Sequence, residues 1–212
     1  MKYDMHVHSK YSHDGVLEPE TIIKTAKRRR LRGVAITDHD TIMGALNAKK
    51  HETKDFEIII GSEIKTERGE IIGLFLEKDI VSRNALDVVK EIKDQGGIVV
   101  VPHPFDRLRK TRFTPKDEDA RLIDCIEVFN SRCLFQKYNE EAMRFAAKHA
   151  LKTIAGSDAH FEYEVGKAGI ELDSENSGDL KKAILDGKIR IFGDKSPIVN
   201  HVFSRILQLF RK

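Results

Sequence analysis

Residues 82–105 read SRNALDVVKEIKDQGGIVVVPHPF, a helix that feeds directly into a strand. Apolar residues recur at helical spacing from Ser82, a candidate N-cap, to Asp94, and Gly96-Gly97 stops the helix. The run Gly97 to Val101 is continuously apolar, as strands of a parallel sheet covered on both faces are, and His103 follows just past its end. The same unit recurs along the chain. Strands are expected at Tyr3 to Val7, Gly33 to Thr37, Phe56 to Ile64, Glu70 to Leu76, Asp124 to Phe129, Thr153 to Ala155 and Lys188 to Phe192. Helices are expected at Glu18 to Leu31, with Pro19 in its first turn, at Gln136 to His149 and at Gly178 to Asp186. Such alternation implies an α/β fold with a parallel sheet, doubly wound or closed, and the number of strands favours a TIM-like barrel.

No internal repeat and no Gly/Ser- or Pro-rich linker divides the 212 residues, so one domain is expected over 1–212. Val199, Val202, Phe203, Ile206 and Phe210 share one helical face, which predicts a terminal helix over 196–212 docked on the barrel.

At 40% hydrophobic and 33% charged residues the chain is globular rather than disordered. A net charge of +3, from 37 basic and 34 acidic residues, is too small to argue for nucleic acid or membrane by itself. Cys125 and Cys133 form no C-x-x-C pair and read as buried thiols in a reducing compartment. The N-terminus MKYDMHVHSKYSHDG has no apolar signal segment, and no apolar run reaches membrane-spanning length, so a soluble cytoplasmic protein is expected.

Side chains with chemistry gather at the ends of the expected strands, where barrel active sites are built. His6 and His8 stand at i and i+2, and the two-residue period of a strand aims both to one side, so they can share one ion. Asp158 and His160 repeat the arrangement after Thr153 to Ala155. His39 follows the second strand, Glu63 falls near the end of the third, and His103 follows the fifth. With Asp14 these residues make a nitrogen and oxygen ligand set without sulfur, suited to Zn²⁺, Mn²⁺ or Fe²⁺. Asp4 and Asp38, beside ligand positions, are candidates to fix imidazole tautomers, and Glu127 in IEVFN can line the site as a further candidate ligand. Arg107 and Arg132, just past strand ends, are candidates to clamp a phosphate. The stretch 105–121, with Arg107, Arg109, Lys110 and Arg112, reads as a polar loop at the working end. Lys27 to Arg30 reads as a solvated helix face.

DMHVHSKYSHDG, AITDHDT, GSEI, VPHPF and AGSDAH, in that order from Asp4 to His160, resemble the motifs of the PHP (polymerase and histidinol phosphatase) family. The resemblance implies a TIM-like distorted (β/α)7 barrel with about two or three divalent ions. His6, His8, Glu63 and Asp158 would hold the first, Glu63 would bridge to a second also held by His103, and Asp14, His39 and His160 would hold a third. Many members carry a His-x-x-Gly segment after the bridging Glu, where this chain has Glu70-Ile71-Ile72-Gly73. Either Glu70 serves as an oxygen ligand instead, or the second site is weaker.

The expected activity is hydrolysis of a phosphate ester of a small molecule or nucleotide by a metal-activated hydroxide, with His160 or Asp14 as proton donor. Rival readings are a 5′→3′ exonuclease or nucleotide-bisphosphate phosphatase acting on single-stranded ends, an amidohydrolase-type enzyme, and a catalytically silent metal-binding module.

Overall fold

The computed structural model describes residues 1–173 and 178–196. The terminal helix expected over 196–212 therefore lies, beyond Ser196, outside the described residues. The strands are β1 (Lys2–Val7), β2 (Gly33–Ile36), β3 (Glu57–Thr66), β4 (Gly69–Leu74), β5 (Ile98–Val101), β6 (Cys125–Asn130), β7 (Lys152–Gly156), β8 (Ala168–Glu171) and β9 (Arg190–Gly193). The helices are α1 (Pro19–Arg28), α2 (Met43–Lys49), α3 (Ala85–Asp94), α4 (Gln136–His149) and α5 (Leu180–Asp186). The strands join one mixed sheet in the order β7-β6-β5-β4-β3-β2-β1-β8-β9.

Each helix begins and ends for local reasons. Pro19 opens α1, and Lys27 and Arg28 sit in its last turn, where cations suit the helix dipole. In α3 the cap is Asn84, not Ser82: its side chain accepts from the N–H groups of Leu86 and Asp87. Helix α4 ends at Ala150, which takes a left-handed conformation.

The sheet is parallel from β1 to β3 and from β5 to β7, but β4 runs against both its neighbours. The all-parallel expectation fails there because Glu67-Arg68 is too short for a crossover, which needs about a dozen residues, and allows only a hairpin. Among the described residues, the sequence reading missed the short helix α2, the 3₁₀ turns Asp117–Leu122 and Glu162–Glu164, and the strand β8, which pairs antiparallel with both β1 and β9.

The sheet curls into a nearly closed barrel. The start of β1 pairs with β8, while its end meets the chain just past β7: Asp158 N–H donates to His6 O (2.8 Å) and His8 N–H to Ala159 O (2.9 Å). Gly156 allows this approach, since a Cβ there would collide with the Cβ of His6. One apolar cluster, including Met5, Ile59, Leu74, Ile98 and Ile154, fills the barrel interior. Others lie under α1 and α2 and under α3 and α4. Among the described residues no helix is long and apolar enough to cross a membrane.

Candidate metal centre

Inside the barrel the strands change character at one height. Successive inward positions run from Cys125 to Glu127 on β6, from Leu74 and Ile72 to Glu70 on β4, and from Ile59 past Gly61 to Glu63 on β3. On β1 the plain two-residue period would put His6 and His8 outside, because Tyr3 and Met5 belong to the interior cluster. The register solves this: Asp4 pairs with Val34 but Val7 with Ile36, one residue more on β1 than on β2. That bulge turns His6 and His8 inward and sends Val7 to the cluster under α1.

Two carboxylates approach a pair of imidazoles there. His6 Nε2 and His8 Nε2 are 3.1 Å apart, and each is 3.3 Å from Glu63 Oε2. Asp158 Oδ1 lies 3.8 Å from His6 Nε2 and 3.4 Å from His8 Nε2. A tetrahedral ion with bonds of about 2.1 Å needs donors about 3.4 Å from one another.

The tautomers agree with this fit. His6 Nδ1 is 3.0 Å from Glu127 Oε1, a group that can only accept, so Nδ1 carries a proton. Ser12 Oγ gives its one proton to Asp14 Oδ1 (2.9 Å), leaving a lone pair for the His8 Nδ1–H at 3.3 Å. Both Nε2 atoms thus face the cluster. Asp158 Oδ1 is buried with no hydrogen-bond partner among the described residues, whereas a buried polar atom normally has one. Burial opposes charge on His6, yet Glu63, Glu127 and Asp158 lift its pKa well above the imidazole range. The cluster draws a cation, and the residues fit a divalent ion.

Two further sets share members with this one. Single donor atoms of His6, Glu63 and His103 lie within 4.8 Å of one another, as do those of His8, Asp14, His39 and His160. His103 Nε2 is 3.0 Å from Glu63 Oε1 and 3.9 Å from Glu70 Oε2. Burial, then the charge of Glu63, raises the buried Glu70 carboxyl above its ordinary pKa. Asp14 Oδ2 is 3.0 Å from His160 Nε2 and 3.4 Å from His39 Nε2. Burial would raise the carboxyl of Asp14, but His160 and His39 hold it far below the usual range. His160 Nδ1 is 2.8 Å from the carbonyl of Asp158, which can only accept, so its Nε2 also turns toward the cluster. Asp158 and His103 have φ of 55° and 30°, left-handed conformations that L-residues rarely hold.

The structure brings together His6, His8, Asp14, His39, Glu63, His103, Asp158 and His160. The arginines separate. Arg107 is largely exposed and lies 3.8 Å from Glu141 on α4. Arg132 is buried, with Nη1 3.4 Å from Glu164 Oε2, an oxygen that also accepts from His160 N–H (3.0 Å). Arg109 instead reaches into the centre, donating to Asp158 Oδ2 and, through Nε at 3.3 Å, to Asp106 Oδ2. Its sequence neighbourhood showed a basic loop but not which arginine turns inward. Asp4 and Asp38 grip backbone rather than imidazoles. Asp4 accepts from Ser157 N–H, Ser157 O–H, Gly166 N–H and His6 N–H, and Asp38 from Ser9 N–H and O–H. Both cysteines are free and buried, and burial pushes the Cys133 thiol up to about 12.

A nearly closed mixed barrel with imidazoles and carboxylates crowded at its strand ends defines an α/β protein with a candidate metal centre. The PHP domain family matches residues 4–211, and the chain belongs to that family. It is 43% identical over 147 residues to an uncharacterized protein of Methanocaldococcus jannaschii, covering 62% of this chain and 82% of that one. Against a 5′-3′ exoribonuclease of Haemophilus influenzae it is 39% identical over 143 residues, 65% of this chain, and it spans half of that enzyme's length. Among solved structures, a two-domain Bacteroides vulgatus protein containing a predicted PHP-like metal-dependent phosphoesterase superposes with a TM-score of 0.77 at 20% identity. That match covers 92% of this chain and 65% of the other, and it concerns the fold.

Proposed function

We propose that the protein is a metal-dependent hydrolase of phosphate esters, acting on a terminal phosphate of a small molecule or nucleotide. The approach of both Glu63 Oε2 and Asp158 Oδ1 to His6 Nε2 and His8 Nε2, at 3.3 to 3.8 Å, carries the reading. His6, His8, Glu63 and Asp158 would hold one ion, Glu63 and His103 with Glu70 a second, and Asp14, His39 and His160 a third. Divalent ions there supply a lowered pKa for bound water and neutralise charge on phosphoryl oxygens.

The chain's own residues do the rest. Arg109, already turned to Asp158, is placed to exchange a carboxylate for a phosphate oxygen through the same guanidinium fork. Arg132 holds Glu164 beneath His160, and Arg107, on the same loop as Arg109, guides the anion from the rim. His160 or Asp14, whose Nε2 and Oδ2 lie 3.0 Å apart, would pass a proton to the leaving oxygen.

A second reading, a 5′→3′ exonuclease, is supported by the Haemophilus influenzae relative. One assay tests both. Metal-stripped protein reloaded with Mn²⁺ or Zn²⁺ is given an aryl phosphate, a nucleoside bisphosphate and a 5′-phosphorylated oligoribonucleotide, with His6→Ala as control. The expected result is metal-dependent release that His6→Ala abolishes, strongest on the bisphosphate. Preference for the oligonucleotide replaces the first reading with the second. Bound metal with all three substrates intact overturns both.

A further inference from the structure

We propose that Glu127 is the positioning residue of the centre, tying the two ion sets that share Glu63 to one carboxylate on β6. The inference rests on the reading that the cluster holds metal, not on which ester it cleaves. Glu127 is buried, and each of its oxygens is engaged. Oε1 takes the Nδ1–H of His6 at 3.0 Å; Oε2 takes the main-chain N–H of His103 at 2.8 Å and an Nδ2–H of Asn130 at 3.0 Å.

Each contact sets something a metal site needs. The first fixes the His6 tautomer, leaving Nε2 for the cluster. The second holds the backbone of His103 at its left-handed φ of 30°, the conformation from which its ring reaches Glu63. The third passes on to another ligand, because Asn130 Nδ2 also lies 3.3 Å from Asp158 Oδ2. The orientation of that amide is settled by its other end, where Asn130 Oδ1 accepts from Arg132 N–H at 3.0 Å. Strand β6 lies between β5 and β7, so Glu127 and Asn130 reach ligands delivered by both neighbours and by β1 across the barrel. Glu127 sits behind the His6 ring, at Nδ1, and so acts through His6 rather than as a ligand.

A carboxylate is required because three donors point at it. Glutamine offers one acceptor and one NH₂. Turning its oxygen to His103 and Asn130 aims the NH₂ at His6 Nδ1, which then accepts and moves the imidazole proton to Nε2, the atom the ion needs. Aspartate keeps charge and acceptors but falls short of His6 by about one carbon–carbon bond.

The test is Zn²⁺ affinity by chelator competition for wild type, Glu127→Gln and Glu127→Asp, with the d–d spectrum of each protein at saturating Co²⁺. Both variants are expected to bind Zn²⁺ about 10- to 100-fold more weakly. Their Co²⁺ bands should shift and change intensity as a nitrogen ligand is lost. If Glu127→Gln does not fold, Glu127→Asp carries the test. Wild-type affinity and spectrum in Glu127→Asp overturn the proposal, because charge alone then suffices. Wild-type protein that takes up no Zn²⁺ overturns the metal reading itself along with this inference.

Discussion

The lower and upper halves of the barrel interior are lined by the same strands yet obey opposite rules. Below, Met5, Ile59, Leu74, Ile98 and Ile154 pack without a polar atom among their side chains, as a core that stabilises the fold does. Above, the next inward positions are Glu63, Glu70 and Glu127, joined by His6 and His8 through the bulge in β1. Burying so many ionisable groups opposes folding unless each is paired. The comparison teaches that one strand period can serve stability at one end and chemistry at the other, with an extra residue in β1 adding His6 and His8 to the carboxylates.

If that division is right, the two halves must respond differently to substitution. The largest effect belongs to His8→Ala. Phosphate release should fall by about 10³-fold or more, or ~4 kcal/mol of transition-state stabilisation, while the melting temperature of the metal-free protein changes little. Steady-state kinetics beside a melting curve checks both, and a variant that melts early while remaining active would erase the division. Next is Ile98→Ala in the lower half, expected to cost about 2–5 kcal/mol in denaturant unfolding while the folded protein keeps its metal content. Loss of metal at low denaturant would mean that the halves are coupled.

The third effect sharpens the upper half. Burial opposes charge on His39, but Glu63 and Asp14 raise its pKa to about 10. A raised folded-state pKa stabilises the metal-free protein below the unfolded value, and that contribution is lost as pH rises through about 10. An ion bound by His39 displaces this proton, so apparent Zn²⁺ affinity should climb roughly tenfold per pH unit from about pH 7 upward. An affinity flat in pH would remove His39 from the ligand set.

The smallest effect lies outside both halves, at the Arg68–Asp119 pair, with contacts of 2.8 and 2.7 Å. Arg68 holds the Asp119 carboxyl below its ordinary pKa, so its contribution is present above the unfolded value and fades as acid brings pH down through the folded one. Arg68 is a third exposed, so Asp119→Asn should cost about 1 kcal/mol or less at neutral pH, and activity should be untouched.

Which residues would gather at one end of the barrel was legible because their signals are local in sequence. His6 with His8 and Asp158 with His160 declare themselves by spacing, and the apolar runs before His39, Glu63 and His103 place those side chains at strand ends. Long-range pairing was not legible. The bulge that turns His6 inward exists only in the register of β1 on β2. Strand β4 reads as one more parallel strand until the brevity of Glu67-Arg68 is weighed. Arg109 and Arg107 are equivalent as sequence, and only the fold of the loop after β5 sends one to Asp158 and the other to Glu141. The carboxylates that looked like tautomer-fixing partners, Asp4 and Asp38, lie beside ligands in sequence but grip the main chain. Glu127, distant in sequence, holds the imidazole of His6.

The most direct test of the metal centre is an anomalous difference map from crystals of zinc-loaded protein, recorded on either side of the zinc absorption edge. The account predicts a strong peak enclosed by His6 Nε2, His8 Nε2, Glu63 and Asp158. A map with no peak there, or with zinc held only elsewhere, would contradict it.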